Sequence, residues 1–367
     1  MKKRKKIMFH LNSLGKGGAE RVVSLLANQF AAKGYTVSIA TEWQEEEEYP
    51  LDERVNRIHA GLSEQEENRG RIARQWLRVK NLRKVLKREK PDLLVSFCVK
   101  ANYRAMMASS LTGIPVVVSV RNDPKIDYVG RVNRLMNKLF LNRASGCVFQ
   151  TEEAQEFFDD TLQKKSVIIC NPLNEKYLQA KRRPAEKKIV CVGRLVKQKN
   201  QILLLKAFEE LLADHPDYRL YFYGDGSTDE YKDEIFTYVR ERALLKETVY
   251  FMGLSSTLET DIADAAMFVL PSLYEGMPNA LMEAMALGLP VISTDCPCGG
   301  SRYWITHREN GQLVEVNNVQ AMKEAMVYYI EHPLEAEKMG QRARERLKEA
   351  SLDKVYQCWE EYLTGIS

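Results

Sequence analysis

Long apolar runs are the first thing this 367-residue chain lacks. No stretch approaches the ~20 consecutive apolar residues that a bilayer-spanning helix requires. The basic start, Met1 to Lys6, resembles the charged region of a secretion signal. The apolar stretch behind it, however, holds His10, Asn12 and Ser13 and stops at Gly15. It reads as a first strand, 6–11, and the cytosol is the expected location. Histidine is scarce, at five residues, and offers no convincing pair for proton transfer. Of the seven cysteines (Cys98, Cys147, Cys170, Cys191, Cys296, Cys298 and Cys358), only Cys296 and Cys298 are close together. No second Cys or His pair stands near them, so no metal site is expected. Most of the thiols lie in apolar, strand-like runs, where reduced core cysteines belong. Neither G-x-G-x-x-G nor G-x-x-x-x-G-K-[ST] occurs, which removes the dinucleotide and P-loop fingerprints.

What is present is an ordinary soluble composition, 45% hydrophobic and 28% charged, at a length that suits two domains. The net charge of +4 hides an asymmetry: residues 1–170 carry 30 Lys and Arg against 20 Asp and Glu, and the remainder is acidic by six. Both halves alternate short apolar strands with amphipathic helices. Strands are expected at 6–11, 36–40, 93–97, 116–120, 146–150 and 166–170, then at 188–192, 218–223, 249–252, 267–271 and 290–294. Helices are expected at 20–33, 71–88, 103–112 and 131–142. The strands are continuous apolar runs and not alternating ones, which argues for parallel sheets covered on both faces. Two doubly wound α/β domains follow, 1–172 and 188–350. The polar stretch 175–187 reads as their linker, and a last helix at 353–363, within 351–367, follows the break at Ala350-Ser351. The acidic run 45–48 reads as a solvated loop.

The segment from Ser272 to Pro290 carries the densest chemistry. Glu275 precedes Gly276 and Pro278 and should sit on a turn. Asn279 suits a helix N-cap, residues 280–287 are strong helix formers, and Gly288 stops the helix. Glu283 is the one charge on a helix that otherwise reads as buried. Between the two glutamates lies a helix N-terminus, a natural seat for a phosphate, built from Gly276, Met277, Asn279, Ala280 and Leu281. A second basic turn, Gly193-Arg194 to Lys199-Asn200, follows a strand and opens a helix; Arg194 supplies a rigid fork and Lys199 a mobile point charge.

These segments closely resemble the signatures of the family-4 retaining glycosyltransferases. Residues 275–288 match E-G-x-x-x-x-x-x-E-A-M-A-x-G. Residues 193–200 match G-R-L-x-x-x-K-G, with Asn200 where glycine is usual, a mild departure because asparagine tolerates positive φ. The glycine-rich turn from Asn12 to Arg21 resembles the family's G-G-x-E-R loop, with Gly17 and Gly18 allowing close backbone approach. The resemblance implies a GT-B fold: two Rossmann-like domains facing a cleft, with a C-terminal helix crossing back to the first. It implies that Glu275 contacts the donor sugar, Glu283 the ribose, and Arg194 and Lys199 the donor diphosphate, with Gly17, Gly18 and Gly193 close by. Arg121 and Asn122 occupy the strand end where many relatives place a histidine, and with Arg21 they are the residues for the acceptor side. Arg21 bracing its helix and Arg121 in an ordinary loop ion pair are the alternatives for those two.

The helix 69–90 carries ten Lys and Arg and one acid, with Ile72, Trp76, Val79, Leu82 and Leu86 at helical spacing. Such a helix suits an anionic membrane surface, with an outer helix packing its apolar side into the core as the alternative. The implied activity is metal-independent transfer of a hexose or N-acetylhexosamine from a UDP- or GDP-linked sugar to a glycan or polyprenyl-linked acceptor. It would take place at the inner face of the cell membrane, with no nucleic acid partner. The rivals are a nucleotide-sugar epimerase and a non-catalytic nucleotide-sugar-binding protein.

Overall fold

The computed structural model describes residues 4–15, 17–226 and 230–366. Residues 1–3 of the basic start and Lys16 of the glycine-rich turn lie outside the described residues. The chain divides into two compact units, Met1–Pro172 together with Leu352–Ser367, and Leu173–Ser351.

The first unit is built on a parallel sheet of β1 (Lys6–His10), β2 (Thr36–Thr41), β3 (Val55–His59), β4 (Leu93–Phe97), β5 (Val116–Ser119), β6 (Gly146–Phe149) and β7 (Ser166–Ile168). Their order is β3-β2-β1-β4-β5-β6-β7. The central strands are apolar and buried along their length, as helices on both faces require. β3 escapes a sequence reading because it is an edge strand whose inward residues are only Val55 and Ile58, with Asn56 and His59 exposed. The longer helices are α1 (Gly18–Ala32), α2 (Arg71–Glu89), α3 (Val99–Ser109) and α4 (Arg131–Leu139). α3 starts four residues ahead of its expected position. α4 ends three residues early because the chain tightens into a 3-10 turn at Leu141–Arg143.

The basic helix α2 divides its apolar residues between two environments. Val79, Leu82, Val85 and Leu86 enter the core, whereas Ile72 and Trp76 are 77% and 66% exposed. α4 buries none of its residues and leaves Val132, Leu135 and Leu139 open to solvent. Among the described residues no helix is long and apolar enough to cross a membrane.

The second unit holds β8 (Glu186–Val192), β9 (Arg219–Tyr223), β10 (Val249–Gly253), β11 (Ala265–Leu270), β12 (Val291–Thr294) and β13 (Gln312–Val314), all parallel, in the order β10-β9-β8-β11-β12-β13. β13 is only three residues long, too short to stand out by periodicity. Its longer helices include α6 (Gln201–Leu211), α7 (Glu230–Arg240), α8 (Asn279–Ala286), α9 (Val319–Glu331) and α10 (Pro333–Leu347); a one-turn helix, α5 (Glu175–Gln179), precedes them. The stretch 175–187 is therefore no linker. Asn174 caps α5 by accepting from the Lys176 N–H at 3.2 Å, and α5 packs against α8. Arg182 and Arg183 donate to the Ala263 and Thr260 carbonyls at 2.7 and 2.9 Å, and β8 has begun by Glu186. Polar composition alone suggested solvation, but the arginines satisfy loop carbonyls of the same unit.

The last helix, α11 (Leu352–Gly365), returns to the first unit. Trp359 is fully buried and stacks on Phe97 at 5.7 Å, Tyr356 packs edge-on against Phe30 at 4.7 Å, and the Tyr362 hydroxyl accepts from the Cys147 N–H at 2.9 Å. Truncation of a buried tryptophan removes apolar burial and leaves a cavity. Trp359→Ala should cost about 3–5 kcal/mol, measured by denaturant unfolding of the intact chain. An unchanged unfolding midpoint would mean that α11 contributes nothing to the first unit.

Candidate active site

In each sheet the strand order reverses direction once, between β1 and β4 in the first unit and between β8 and β11 in the second. Ligands of open α/β sheets bind outside the carboxyl ends of the strands at such a reversal. In the second unit the two loops at that point are those carrying the basic and acidic motifs.

After β8 the chain passes Gly193 and Arg194, tightens into a 3-10 turn at Lys197–Lys199, and enters α6 through Asn200. Asn200 takes the left-handed conformation (φ 51°, ψ 43°) that the glycine of the motif would adopt, and its amide donates to Asn317 at 3.0 Å. At Gly224, φ is +119°, and a Cβ there would strike the Gly193 carbonyl, so that glycine is required twice over.

After β11 the chain turns through Ser272 to Glu275 and starts α8. Two bonds tie this turn to the first. The Leu273 N–H donates to the Gln198 carbonyl at 2.8 Å, and the Gln198 amide donates to the Tyr274 carbonyl at 3.0 Å. A third, from the Thr294 hydroxyl to the Ser272 carbonyl at 2.6 Å, fixes the turn to β12.

The side chains complete this junction. Lys199 Nζ lies 2.5 Å from Glu275 Oε1, and the Ser272 hydroxyl donates to the same oxygen at 2.6 Å. Glu275 is 6% exposed and Ser272 fully buried, so the contact is made away from bulk water. Burial pushes the neighbouring Cys191 and Cys296 thiols up to about 12, and they stay protonated. Arg194 is exposed, and its guanidinium has no partner among the described residues.

Glu283 is buried on α8, as its isolation on an apolar helix suggested. Asn279 is not the N-cap. Pro278 occupies the cap, and Asn279, Ala280 and Leu281 form the first turn. Proline's missing N–H and fixed φ suit that entry, and it offers no side-chain acceptor for the N–H groups behind it. Gly276 is buried against the start of another helix, where a Cβ on Gly300 would collide with its carbonyl; Met277 is also buried. Gly288 ends α8 at φ +79°.

The remaining sequence candidates belong to the first unit. Gly17 caps α1, and a Cβ there would collide with the Glu20 carboxylate; Gly18 is the first helical residue, and the Arg21 N–H donates to the Gly17 carbonyl at 3.2 Å. The glycine-rich turn is held by the segment after β2. The N–H groups of Glu42 and Trp43 donate to the Asn12 carbonyl, and that of Tyr49 to the Leu14 carbonyl. Glu42 is buried between Arg104 and Arg78, the latter at 3.2 Å. Beside them His10 is fully buried, and burial together with Arg104 lowers it to about 3, so the ring is neutral. The acidic run 45–48 is not simply solvated, because Glu48 pairs with Arg57 and accepts from the Glu45 N–H.

Arg121 lies over the Phe97 ring at 5.4 Å and donates to Ser119 and Asn171. Burial lowers it to about 10, and among the described residues it meets no carboxylate, so it is not in a loop ion pair. Burial holds the Asp127 carboxyl above its ordinary value, with the neighbouring Asn122 side chain acting against that shift. Among the described residues no three His, Cys, Asp or Glu side chains are grouped to hold a metal ion.

Sequence reasoning missed Ser272, Gln198 and Thr294. Only Ser272 gave a signal, a hydroxyl three residues ahead of a glutamate at the end of an apolar strand, which is turn spacing. Removing one member of a buried charge pair costs more than removing both. Lys199→Met should therefore lower the thermal midpoint more than Lys199→Met combined with Glu275→Gln. Equal or additive losses would show that the two charges do not depend on each other.

Residues 174–346 match the family model described as Glycosyl transferases group 1, and residues 16–177 match Glycosyltransferase Family 4. An uncharacterised glycosyltransferase of Haemophilus influenzae is 26% identical over 97% of this chain and 99% of its own length. The N-acetylgalactosamine-N,N'-diacetylbacillosaminyl-diphospho-undecaprenol 4-alpha-N-acetylgalactosaminyltransferase of Campylobacter jejuni is 25% identical over 98% of this chain and all of its own. The crystal structure of Anabaena HepE in complex with UDP and glucose superposes with a TM-score of 0.81 at 19% identity, covering 99% of this chain and 100% of that one. The two family models together span 16–346 and the solved fold extends over nearly the whole chain, so the protein belongs to the group 1, family 4 glycosyltransferases and has their GT-B fold.

Proposed function

We propose that this enzyme transfers a hexose or N-acetylhexosamine from a UDP- or GDP-linked sugar to a glycan acceptor carried on a lipid, in the synthesis of a surface polysaccharide. The observation that carries the reading is the junction of Lys199, Glu275 and exposed Arg194 at the strand reversal of the second unit. A sugar leaves its nucleotide by breaking the bond between C1 and the diphosphate, and negative charge grows on the departing oxygen. Arg194 and Lys199 stabilise that charge without a metal. Glu275 orients the donor sugar and Glu283 the ribose. The first turn of α8, Asn279, Ala280 and Leu281, turns its N–H groups and positive dipole end to the phosphates, with Gly276 and Met277 leading into it and Gly193 allowing close approach. On the first unit, Gly17 and Gly18 leave the backbone of the glycine-rich turn open to close approach, and Arg21, Arg121 and Asn122 serve the acceptor. The acceptor hydroxyl attacks C1 on the face from which the diphosphate leaves and passes its proton to the departing phosphate oxygen, so the anomeric configuration is retained and no side chain acts as nucleophile.

Two likenesses support the substrate classes. The Campylobacter jejuni relative is named for transfer to a diphospho-undecaprenol-linked glycan, and the Anabaena structure holds UDP and glucose. Glu275→Gln should reduce transfer at least about a hundredfold, the scale on which orienting groups act, in a protein that still folds. A fully active Glu275→Gln enzyme would remove the assignment.

A lipid-linked acceptor calls for a membrane-facing surface on the basic first unit. Arg78 does not serve it, because it pairs with buried Glu42. The exposed apolar residues Ile72 and Trp76 of α2, and Val132, Leu135 and Leu139 of α4 beside Arg131, Arg134 and Lys138, have the composition of an interfacial face. Trp76→Glu with Leu135→Glu should abolish co-sedimentation with phosphatidylglycerol vesicles. Undiminished binding would exclude this face.

A further inference from the structure

We infer that Ser272 is a positioning residue, fixing which oxygen of Glu275 is presented to the donor sugar; the inference rests on the role proposed for Glu275. A glutamate carboxylate at the start of a turn has freely rotating bonds and two equivalent oxygens. Here both observed hydrogen bonds converge on one of them. Ser272 Oγ donates to Glu275 Oε1 at 2.6 Å, and Lys199 Nζ lies 2.5 Å from the same atom. Oε2 takes neither bond and is left for another donor, as a sugar hydroxyl would be.

The two anchors differ in kind. Lys199 is a mobile cation on a four-carbon stem, and the proposed chemistry asks it to serve the diphosphate as well. When it swings to the phosphate, Glu275 loses that hold. Ser272 is in no position to swing. It is fully buried, its backbone carbonyl accepts from Thr294 at 2.6 Å, and the next residue's N–H is bonded to Gln198 at 2.8 Å. Its hydroxyl is therefore the anchor that persists while Lys199 is engaged elsewhere, so the carboxylate keeps its orientation through the reaction. Such support from a rigid neighbour separates a group merely present from one held within catalytic tolerance.

The test compares Ser272→Ala, Glu275→Gln and the double variant with the native enzyme. Release of nucleoside diphosphate is followed from whichever donor, in a panel of UDP- and GDP-linked hexoses and N-acetylhexosamines, the native enzyme turns over fastest. Ser272→Ala should lower kcat by about tenfold to a hundredfold with KM within about twofold, since a misplaced group costs rate and not ground-state binding. The thermal midpoint should stay within a few degrees. In the Glu275→Gln background the same substitution should cause no further loss, because Ser272 acts only through that carboxylate. Native kcat in Ser272→Ala alongside an impaired Glu275→Gln would overturn the positioning role alone. So would an equal further loss in the double variant, which would mark Ser272 as structural. Native-like turnover by Glu275→Gln would instead remove the reading of Glu275 on which the inference stands.

Discussion

The contact between Lys199 and Glu275 is the constraint around which the second unit is arranged. Two opposite charges taken out of water are tolerated only when paired and further hydrogen-bonded. Both conditions are met by backbone placed in advance. The loop after β8 delivers the lysine, the loop after β11 delivers the glutamate, and the Gln198 bonds tie the two loops together before either side chain is considered. The Lys199–Glu275 pair is thus neutral as a unit. A diphosphate would take a share of a cation that Glu275 now holds, while Arg194 stands exposed nearby as a second charge.

The first unit buries a carboxylate differently, with Glu42 between two arginines. The glycine-rich turn has little side-chain mass of its own, so its shape is imposed from outside. The segment after β2 bonds to it, and Glu42 is fixed in turn by Arg104 and Arg78. Burial, with Arg104 beside it, keeps His10 neutral, and the Glu42 contacts consume two cations of a markedly basic unit. Arg121 remains as a half-buried cation that donates to an amide oxygen and a hydroxyl and lies over an aromatic ring.

Most of the fold was legible because buried parallel strands leave unbroken apolar runs and their helices leave a 3.6-residue rhythm. β3 and β13 were not, since an edge strand and a three-residue strand exist through backbone pairing more than through side-chain pattern. The stretch 175–187 was misread because its arginines look solvated until the carbonyls they satisfy are known. At the site, residue types were readable and partners were not. Glu275, Lys199 and Arg194 could be singled out because they stand in motifs that resemble those of the glycosyltransferases. That Lys199 meets Glu275, that Ser272 joins them, and that Pro278 and not Asn279 caps α8 depend on contacts between residues up to 76 positions apart. The basic helix shows the same limit. Its periodicity was real, but only the structure divides it into a half facing the core and a half exposing Ile72 and Trp76.

The proposed nucleoside-diphosphate site at the strand reversal of the second unit rests on Arg194 and Lys199. Isothermal titration of the metal-free protein with UDP, GDP and ADP tests it most directly, repeated with Arg194→Ala and Lys199→Met. The account predicts saturable binding of one nucleotide and at least about a tenfold weakening in each variant, as expected when a charged hydrogen bond of roughly 1.5–3 kcal/mol is lost. Equal affinity in the native protein and both variants would contradict it.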